Sequence, residues 1–530
     1  MGNNTGAVFP SYPKTLTWPI LILAVMSGIL LFLSFPKYGS GALAWIALVP
    51  LFLALRDVTS VRQGMLLGFV TGITCHIGLI YWIAYVVVNY GHLPIYLGIT
   101  LMFLLAGYLS LYTALFAAGI IFLRRKIPLY FAAPVLWLVL EYCKSHLLTG
   151  FPWENLGYSQ YLYHYIVQFA DIAGVYGLSL VIVVVNAVLL EIIFLKLKKR
   201  IIAVLVVVFV IAGIFVYGTL RSKQIDSYLQ NAAGVEVSLI QGNIDQAIKW
   251  DEGARKETVN IYEQLSLQTA TAKGSLIVWP ETAVPFNYQD VSDLQKQVRD
   301  ISSKTKSWFI FGSTSYDKVT TNENFYNSAY LLSPKGEIKG RYDKVHLVPY
   351  GEYVPLRNIF PFIKKLTAGI GDFSRGSGYD PLTIDGKKIG ILICYEGILP
   401  FAAGAYKRNG AELLVNITND AWFGATSAPY QHFSMTVFRA IENRLYLVRA
   451  ANTGISAVVN PKGEIVSQTN IFERAALKGN VKYVNIRTIY AQYGDVLVIF
   501  CFILTASYFI LALWKRRTKN GGRKSARCNT

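Results

Sequence analysis

Three polar side chains suited to nucleophilic catalysis follow or interrupt apolar segments in the second half of the sequence. Cys394 ends the apolar run "IGILIC", Glu281 follows "LIVWP", and Lys344 lies in "GRYDKVHLVPYGEYVP". A cysteine nucleophile needs a base that removes its proton and a donor that stabilises the oxyanion formed by its attack. A carboxylate and an ammonium group are chemically suited to these two roles.

The residue types leave two candidates for the base that would activate Cys394, a carboxylate and an imidazole. Glu281 follows a strand-like segment, where partial shielding from water would raise the pKa of its carboxyl group and suit it to proton transfer near neutral pH. Histidine is the usual alternative, and this half of the chain contains His346 and His432. A Cys–His pair therefore remains an alternative on residue types alone.

Each of the three residues also has an ordinary structural explanation. Glu281 could be an exposed loop carboxylate, Lys344 a solvated surface cation, and Cys394 an inert core thiol. Cys394 is the one cysteine between residues 221 and 492, since the others are Cys75, Cys143, Cys501 and Cys528. We therefore expect Cys394 to be a free thiol.

Residues 221–492 have the composition of a soluble domain in which strands alternate with helices. Short apolar runs end at polar residues in "VEVSLIQGN", "GSLIVWPET", "SWFIFGSTS", "IGILICYEG" and "AELLVNITNDAW". Helix-like segments lie between them at 254–273, 290–304 and 428–448, and hairpin turns are expected at 333–338 and 460–465. Continuous apolar strands alternating with helices predict a layered α/β fold. Functional groups collect at strand ends in such folds, which adds Asn419, Asp420 and Trp422 as candidates.

The remainder of the chain has the composition of a membrane protein. The whole sequence is 53% hydrophobic and 15% charged, whereas soluble proteins carry about 25% charged residues. Apolar runs long enough to span a bilayer need about 20 residues. We predict eight transmembrane helices, near 16–35, 41–56, 64–88, 95–123, 129–148, 168–195, 201–220 and 493–514. Because the second run is short and the fourth is long, seven and nine spans stay open as alternatives.

The distribution of basic residues predicts the orientation of these spans. Sixteen lysine and arginine residues fall in one set of alternate loops and in the tail after residue 514, against two in the opposite short loops. The positive-inside rule then puts both termini in the cytoplasm and the soluble domain outside it. The predicted organisation is a transmembrane domain at 1–220, an extracytoplasmic domain at 221–492, a transmembrane helix at 493–514 and a basic cytoplasmic tail at 515–530.

A nucleic-acid partner is not indicated by the net charge of +19. Residues 221–495 hold 31 Lys and Arg against 26 Asp and Glu, so the soluble domain accounts for only +5 of it. The rest belongs to the membrane part, where topology explains it. We expect no nucleic-acid binding.

Several motifs, in this order, resemble those of the nitrilase superfamily of carbon–nitrogen hydrolases and, more narrowly, the bacterial apolipoprotein N-acyltransferase family. The similar segments are distributed along nearly the whole chain: "FPKYG" (35–39), "FPWENLGYSQ" (151–160), "QGNIDQAIKW" (241–250), "WPET" (279–282), "YDKVHLVPYGEYVP" (342–355), "ICYE" (393–396), "NDAWFG" (419–424) and "RAIENRLYLVRAANTGISAVVNPKG" (439–463). The resemblance implies an α-β-β-α sandwich behind a bundle of about eight transmembrane helices. The ordered set is more specific than any single motif.

The resemblance also implies roles for individual residues. Glu281 is expected to be the general base, Lys344 the oxyanion-stabilising cation and Cys394 the nucleophile, with Glu352 as a second glutamate that supports the site. Further positions that match the family's site are Trp250, Tyr395 and Glu396. The backbone N–H of Tyr395 is suited to be a second oxyanion donor. Plain core packing remains open for Trp250 and Trp422.

The reaction that the resemblance implies is a two-step acyl transfer without a metal or organic cofactor. Cys394 would take an acyl chain from a phospholipid, expected to be the sn-1 chain of phosphatidylethanolamine, and form a thioester. The α-amino group of the diacylglyceryl-cysteine of an apolipoprotein would then accept the chain. The enzyme is expected in the bacterial cytoplasmic (inner) membrane with its catalytic domain on the periplasmic side. We further expect the apolar segment 355–373 to be a mobile lid that touches lipid.

Two other classes of protein stay open at this point. A membrane-tethered amidase or nitrilase would use the same three residues with water as the acceptor. A transporter or channel would need an ion pathway, and the predicted spans hold few ionisable residues, among them Glu141, Asp171 and Glu191. That scarcity disfavours the transporter.

Overall fold

The computed structural model describes residues 16–124, 126–269, 274–319, 322–349, 351–353 and 372–527, without the side chains of 318, 319, 322 and 512–527. Most of the expected lid (355–373) and the basic side chains of the tail lie outside these residues. The thiols of Cys75, Cys143, Cys394 and Cys501 are all free, as expected for Cys394.

The first part of the chain is a bundle of apolar helices. Its helices are α1 (Trp18–Phe32), α2 (Val49–Arg56), α3 (Val61–Ile80), α4 (Trp82–Asn89), α5 (Ile95–Leu123), α6 (Leu129–His146), α7 (His164–Val167), α8 (Ala170–Phe194) and α9 (Leu197–Gln230). The close packing of α3 on α5 depends on small residues. A Cβ atom at Gly68 would lie 2.4 Å from the Thr113 carbonyl oxygen, so the backbones could not approach as they do.

Four of these helices, α3, α5, α8 and α9, are long and apolar enough to cross a membrane. Shorter apolar segments lie at Trp18–Phe32, Gly41–Arg56 and Val496–Leu511, and α6 occupies the fifth predicted span. The third predicted span, 64–88, is divided between α3 and α4 at Tyr81. An apolar helical membrane domain is therefore present, and the count of eight spans stays a prediction.

The second part of the chain is a sandwich of two sheets. Its strands are β1 (Gly234–Gln241), β2 (Leu276–Val278), β3 (Val284–Asn287), β4 (Trp308–Val319), β5 (Asn322–Leu332), β6 (Ile338–Asp343), β7 (Leu382–Ile384), β8 (Lys387–Ile393), β9 (Leu413–Thr418), β10 (Tyr446–Ala451), β11 (Ala457–Val459), β12 (Ile465–Gln468) and β13 (Ala475–Lys482). One sheet has the order β13-β1-β2-β4-β5-β6, with β3 beside β4. The other has the order β12-β11-β10-β9-β8-β7.

Helices cover the outer faces of both sheets. They are α10 (Arg255–Thr269), α11 (Asp293–Thr305), α12 (Pro400–Arg408) and α13 (Ala428–Asn443). Two further helices follow the sandwich, α14 (Ile489–Tyr493) and α15 (Val496–Arg527), and α15 packs on α6 and α8. The first pair packs on the sheet of β1, the second pair on the sheet of β10, and β1 contacts β10 across the interface. The predicted α-β-β-α sandwich is confirmed.

Two details of the sequence-based prediction can be compared directly with the sandwich. The hairpins β5–β6 and β11–β12 turn where expected, with Gly336 and Gly463 at φ of 80° and 81°, a backbone conformation that glycine adopts without strain. Helix α9 continues to Gln230, past the boundary that we placed at residue 220. The first strand begins only at Gly234.

Parallel strands at the centre of each sheet position the candidate residues. β1, β2 and β4 run parallel in one sheet, and β8, β9 and β10 run parallel in the other. Because parallel strands end at the same edge of a sheet, the residues after β8 and β9 lie side by side. Glu281 follows β2 at the facing edge.

A buried ion cluster joins the membrane helices to the sandwich. The Asp171 carboxylate of α8 lies 2.9 Å from the Arg444 guanidinium that ends α13 and 2.7 Å from that of Arg221 in α9. Asp171 and Arg444 are almost fully buried, and Tyr217 donates a further hydrogen bond of 2.6 Å to Asp171. Removal of one member of a buried pair leaves the other charge uncompensated.

We therefore predict that Asp171→Ala lowers the free energy of unfolding by about 3–5 kcal/mol, because the Arg444 charge stays buried without its carboxylate. Asp226→Ala is the matched control. It breaks the half-exposed pair with Lys462, whose atoms are 2.8 Å apart, and should cost less than about 1 kcal/mol. Denaturant titration of the detergent-solubilised protein measures both. Equal losses in the two variants would contradict a stabilising role for the buried cluster.

Candidate active site

Cys394 stands at the turn that follows strand β8. The strand is buried over its last five residues, and the chain then enters a 3₁₀ turn at Cys394–Ile398. Cys394 has a φ of 54°, a left-handed conformation that costs a non-glycine residue energy and is found preferentially at functional sites. The turn lifts the thiol off the sheet edge into the space that faces Glu281.

Glu281 is held in place by both sheets. Its Oε1 atom accepts a hydrogen bond of 2.7 Å from the Asn327 side chain, and its Oε2 atom accepts one of 3.0 Å from the backbone N–H of Asn419. Gly312 makes room for this segment, since a Cβ atom there would lie 2.7 Å from the Glu281 Cα atom. The carboxylate is 6% exposed.

Lys344 lies fully buried between two carboxylates. Its Nζ atom is 3.0 Å from Glu352 and 3.7 Å from Glu281 Oε1. Burial alone would lower the pKa of the ammonium group, but the charges of Glu352 and Glu281 outweigh burial and raise the pKa above its ordinary value. The lysine is thus a permanent cation beside Cys394.

Glu352 is oriented by its own hydrogen bonds. Oε1 accepts one of 2.9 Å from Asn327, and Oε2 accepts one of 2.8 Å from the backbone N–H of Val348. Asn327 therefore bridges the two carboxylates that surround Lys344. The supporting role expected for Glu352 stays a prediction.

The charges of Glu281 and Lys344 both act on the Cys394 thiol. Burial and then the Glu281 carboxylate raise the pKa of the thiol, whereas the Lys344 ammonium and a hydrogen bond with the Thr418 side chain lower it. The net effect is a pKa well above the ordinary value. The thiol is accordingly protonated at rest, and attack requires a base to take its proton as the bond to carbon forms.

Glu396 stabilises the turn that carries Cys394. Its carboxylate accepts hydrogen bonds of 2.9 Å from the Tyr342 hydroxyl and from the backbone N–H groups of Ile393, Val345 and His346. Burial raises the pKa of Glu396 to about 7, against the opposing effect of these donors. Glu396 thereby ties the segment that carries Lys344 to the turn that carries Cys394.

The structure also shows the surroundings of Tyr395, Trp422 and Trp250, the other aromatic residues expected near the site. The Tyr395 ring stacks on His346 at 6.0 Å between centroids. Trp422 makes an edge contact with the ring of Tyr90, the residue after α4, at 5.0 Å between centroids. The Trp250 side chain is 36% exposed, which argues against plain core packing for it.

Lys249 is a residue of this region that the motifs did not single out. Its buried Nζ atom donates hydrogen bonds to the backbone oxygen of Glu281 at 3.1 Å and to the Thr282 hydroxyl at 2.6 Å. Burial lowers its pKa to about 8, although the nearby Glu281 and Cys394 act in the opposite direction. In the sequence, Lys249 could have been found through its position directly before Trp250 in the motif "QAIKW".

The geometry favours Glu281 over histidine as the base. The Nε2 atom of His432 lies 3.3 Å from the carbonyl oxygen of Cys394, so this imidazole contacts the backbone of the nucleophile. Burial and the Lys344 charge lower the pKa of His346 to about 4, which makes it a weak base. The Glu281 carboxylate is near enough to the thiol to raise its pKa, and two donors hold the carboxylate in place.

A thiol, a carboxylate and a buried ammonium at the strand ends of an α-β-β-α sandwich define a nitrilase-like hydrolase domain, here attached to apolar helices. Residues 236–490 match the carbon-nitrogen hydrolase family model, and residues 27–188 match that of the apolipoprotein N-acyltransferase N-terminal domain. The chain belongs to the apolipoprotein N-acyltransferase family.

Two apolipoprotein N-acyltransferases are similar to this chain over most of its length, and part of the chain is also similar to a solved structure. An apolipoprotein N-acyltransferase of Geobacter metallireducens is 46% identical over 91% of this chain and 92% of its own length. One from Rickettsia prowazekii is 33% identical over 71% of this chain and 74% of its own. Among solved structures, an amidase from Nesterenkonia sp. AN1 in complex with acrylamide matches 51% of this chain and 97% of its own, with 17% identity and a TM-score of 0.38.

We predict that Glu281→Gln separates the two effects of this carboxylate on Cys394. Loss of the base should slow acylation of the thiol about 10²- to 10⁴-fold. Alkylation of the thiol by iodoacetamide should not slow, because the charge that raises its pKa is gone. Rates of both reactions, followed by mass spectrometry of the intact protein, test this expectation.

Lys344→Met is the matched control, since it removes the charge that lowers the thiol pKa and should slow alkylation as well as acylation. If alkylation of Glu281→Gln fell in step with its acylation, Glu281 would be a structural residue.

Proposed function

We propose that this protein N-acylates apolipoproteins in the membrane, with Glu281 as base, Lys344 as oxyanion-stabilising cation and Cys394 as nucleophile. The observation that carries the proposal is the position of the site against the membrane helices. The hydroxyl of Tyr90, the residue after α4, donates a hydrogen bond of 2.9 Å to the backbone oxygen of Ala421, in the turn after β9. The Tyr81 hydroxyl accepts one of 3.0 Å from the backbone N–H of Ser427.

In the first half-reaction Glu281 takes the thiol proton while Cys394 Sγ attacks the ester carbonyl of a phospholipid. The tetrahedral oxyanion forms beside the Lys344 ammonium and the backbone N–H of Tyr395. Collapse breaks the ester C–O bond, and Glu281 returns the proton to the leaving alkoxide. The products are a Cys394 thioester and a lysophospholipid.

In the second half-reaction the neutral α-amino group of a diacylglyceryl-cysteine attacks the thioester. The C–N bond forms, the C–S bond breaks, and Glu281 takes a proton from the amine and returns it to the sulfur. The products are an N-acylated lipoprotein and the free thiol. The balance requires no redox partner or cofactor.

The acyl donor that we propose is phosphatidylethanolamine, through its sn-1 chain. A long-chain ester resists transfer into water by ~0.8 kcal/mol per CH₂ group, so the nucleophile has to meet it at the bilayer. The aromatic contacts support such a position, since Trp82 of the membrane domain packs on Phe423 of the turn after β9 at 5.0 Å. Water as acceptor would need no such arrangement.

We predict that the protein purified from membranes, or incubated with phosphatidylethanolamine vesicles, carries a long-chain acyl adduct on Cys394 that hydroxylamine removes. Cys394→Ala should carry none. Peptide mass spectrometry detects the adduct, and vesicles of phosphatidylglycerol compare the two head groups. Hydrolysis of a soluble amide without phospholipid, and no adduct, would support the tethered amidase instead.

We further propose that the sandwich faces the periplasm of a bacterial cell, with both termini in the cytoplasm, as the basic loops indicate. A cysteine introduced at the exposed Val291 should react with a membrane-impermeant maleimide in spheroplasts. A cysteine introduced at the exposed Lys198, in the first turn of α9, should react only after lysis. The reverse labelling pattern would contradict this orientation.

A further inference from the structure

The carbonyl oxygen of the proposed nucleophile accepts two side-chain hydrogen bonds. His432 Nε2 lies 3.3 Å from the Cys394 oxygen and Asn416 Nδ2 lies 3.4 Å from it. Both donors are buried in the sandwich, His432 on helix α13 and Asn416 on strand β9. Neither side chain is needed for the proton transfers described above, so their contact with this carbonyl calls for a separate explanation.

The Cys394 carbonyl and the Tyr395 N–H belong to the same peptide unit. The unit is planar, and in its trans form the C=O and N–H groups point in opposite directions. Donors that hold the oxygen therefore set the direction of the N–H group. A hydrogen bond to the oxygen also polarises the unit, which makes the N–H a stronger donor.

His432 is itself held firmly. Its Nδ1 atom accepts a hydrogen bond of 3.1 Å from Arg449 Nη2, and Arg449 is 2.8 Å from Asp420 Oδ2. Thr418 donates a further hydrogen bond of 3.0 Å to Asp420. Burial lowers the pKa of His432, so the ring is neutral. We assign its single hydrogen to Nε2, because Nδ1 accepts from Arg449 and the Cys394 carbonyl oxygen can only accept.

Aromatic side chains complete the enclosure of His432 on the side of the membrane domain. The rings of Trp153 and Phe423 each lie 6.1 Å from the imidazole. Trp153 is anchored by a hydrogen bond of 2.8 Å from its indole N–H to Gln431, the residue before His432. The imidazole is 1% exposed, so water does not compete for the Cys394 oxygen.

We propose that His432 is a positioning residue for the oxyanion hole. It acts through the Cys394–Tyr395 peptide, whose N–H it aims at the developing oxyanion and strengthens as a donor. This inference rests on the proposed function, in which that N–H stabilises the tetrahedral intermediate. His432 takes part in no proton transfer, and its removal leaves the thiol, Glu281 and Lys344 in place.

Two amide substitutions separate the donor to Cys394 from the contact with Arg449. In His432→Gln the side-chain amide reaches about as far as Nε2 and can still donate to the Cys394 oxygen. In His432→Asn the amide reaches only about as far as Nδ1, so its oxygen can still accept from Arg449 while the donor to Cys394 is lost. Both variants keep a polar group in the buried position.

The expected result is a difference in acylation rate without a difference in binding. His432→Asn should slow single-turnover acylation by phospholipid about 10²-fold, near the lower end of the loss of one oxyanion donor, and His432→Gln less than about 10-fold. The donor concentration for half-maximal rate should be unchanged. Alkylation of Cys394 by iodoacetamide should stay within about 3-fold of the parent protein.

The infrared carbonyl stretch of the acyl-enzyme gives a readout that a purely structural role would not move. With a ¹³C-carbonyl phospholipid as donor, the thioester stretch of His432→Asn should lie at higher wavenumber than that of the parent, because its oxygen receives a weaker hydrogen bond. The thioester stretch of His432→Gln should lie between those of the parent protein and of His432→Asn.

An unchanged stretch, or acylation and alkylation falling together in both variants, would overturn the assignment. A parent protein that forms no thioester would refute the proposed function itself, which is a distinguishable outcome.

Discussion

The site depends on one buried ammonium group shared by two carboxylates. Lys344 is fully buried, and its charge can remain there because Glu352 and Glu281 both lie within 4 Å. Asn327 donates to both carboxylates and so sets their separation. Burial and the Glu281 carboxylate raise the pKa of the Cys394 thiol, and the Lys344 ammonium lowers it. In the reaction that we propose, the carboxylate and the ammonium group thus act on a protonated cysteine.

Helix α13 contributes a residue to the site and also attaches the sandwich to the membrane domain. Helix α13 carries His432 near its beginning and ends at Arg444, which is paired with Asp171 of α8. Trp153 and Tyr158, from the loop after α6, pack against α13 along its length. The nucleophile's backbone and the membrane helices are thus connected through a single rigid element. A soluble hydrolase would have no need for this packing, whereas an enzyme that takes its acyl chain from a bilayer would.

Much of the candidate site could be predicted from local sequence. Glu281, Cys394 and Asn419 each follow a short apolar strand, and that pattern alone indicated that they lie at sheet edges. Lys249, Asn327 and the Asp420–His432–Arg449 cluster could not be assigned roles in this way. Their partners are far away in the chain, as for Lys249 and the backbone oxygen of Glu281. Hydrogen bonds between distant segments leave no periodicity or spacing in the sequence.

The sequence by itself determined the division into apolar helices and a sandwich, because hydrophobic burial imposes its period on the residues of each element. It also indicated the residue types of the site through motifs that match a known family. Only the tertiary structure decided which charges share a space, that Glu396 ties the Lys344 segment to the turn after β8, and that α9 extends to Gln230. Those outcomes depend on distances between segments that two facing sheets bring together, and such distances are a property of the packed chain.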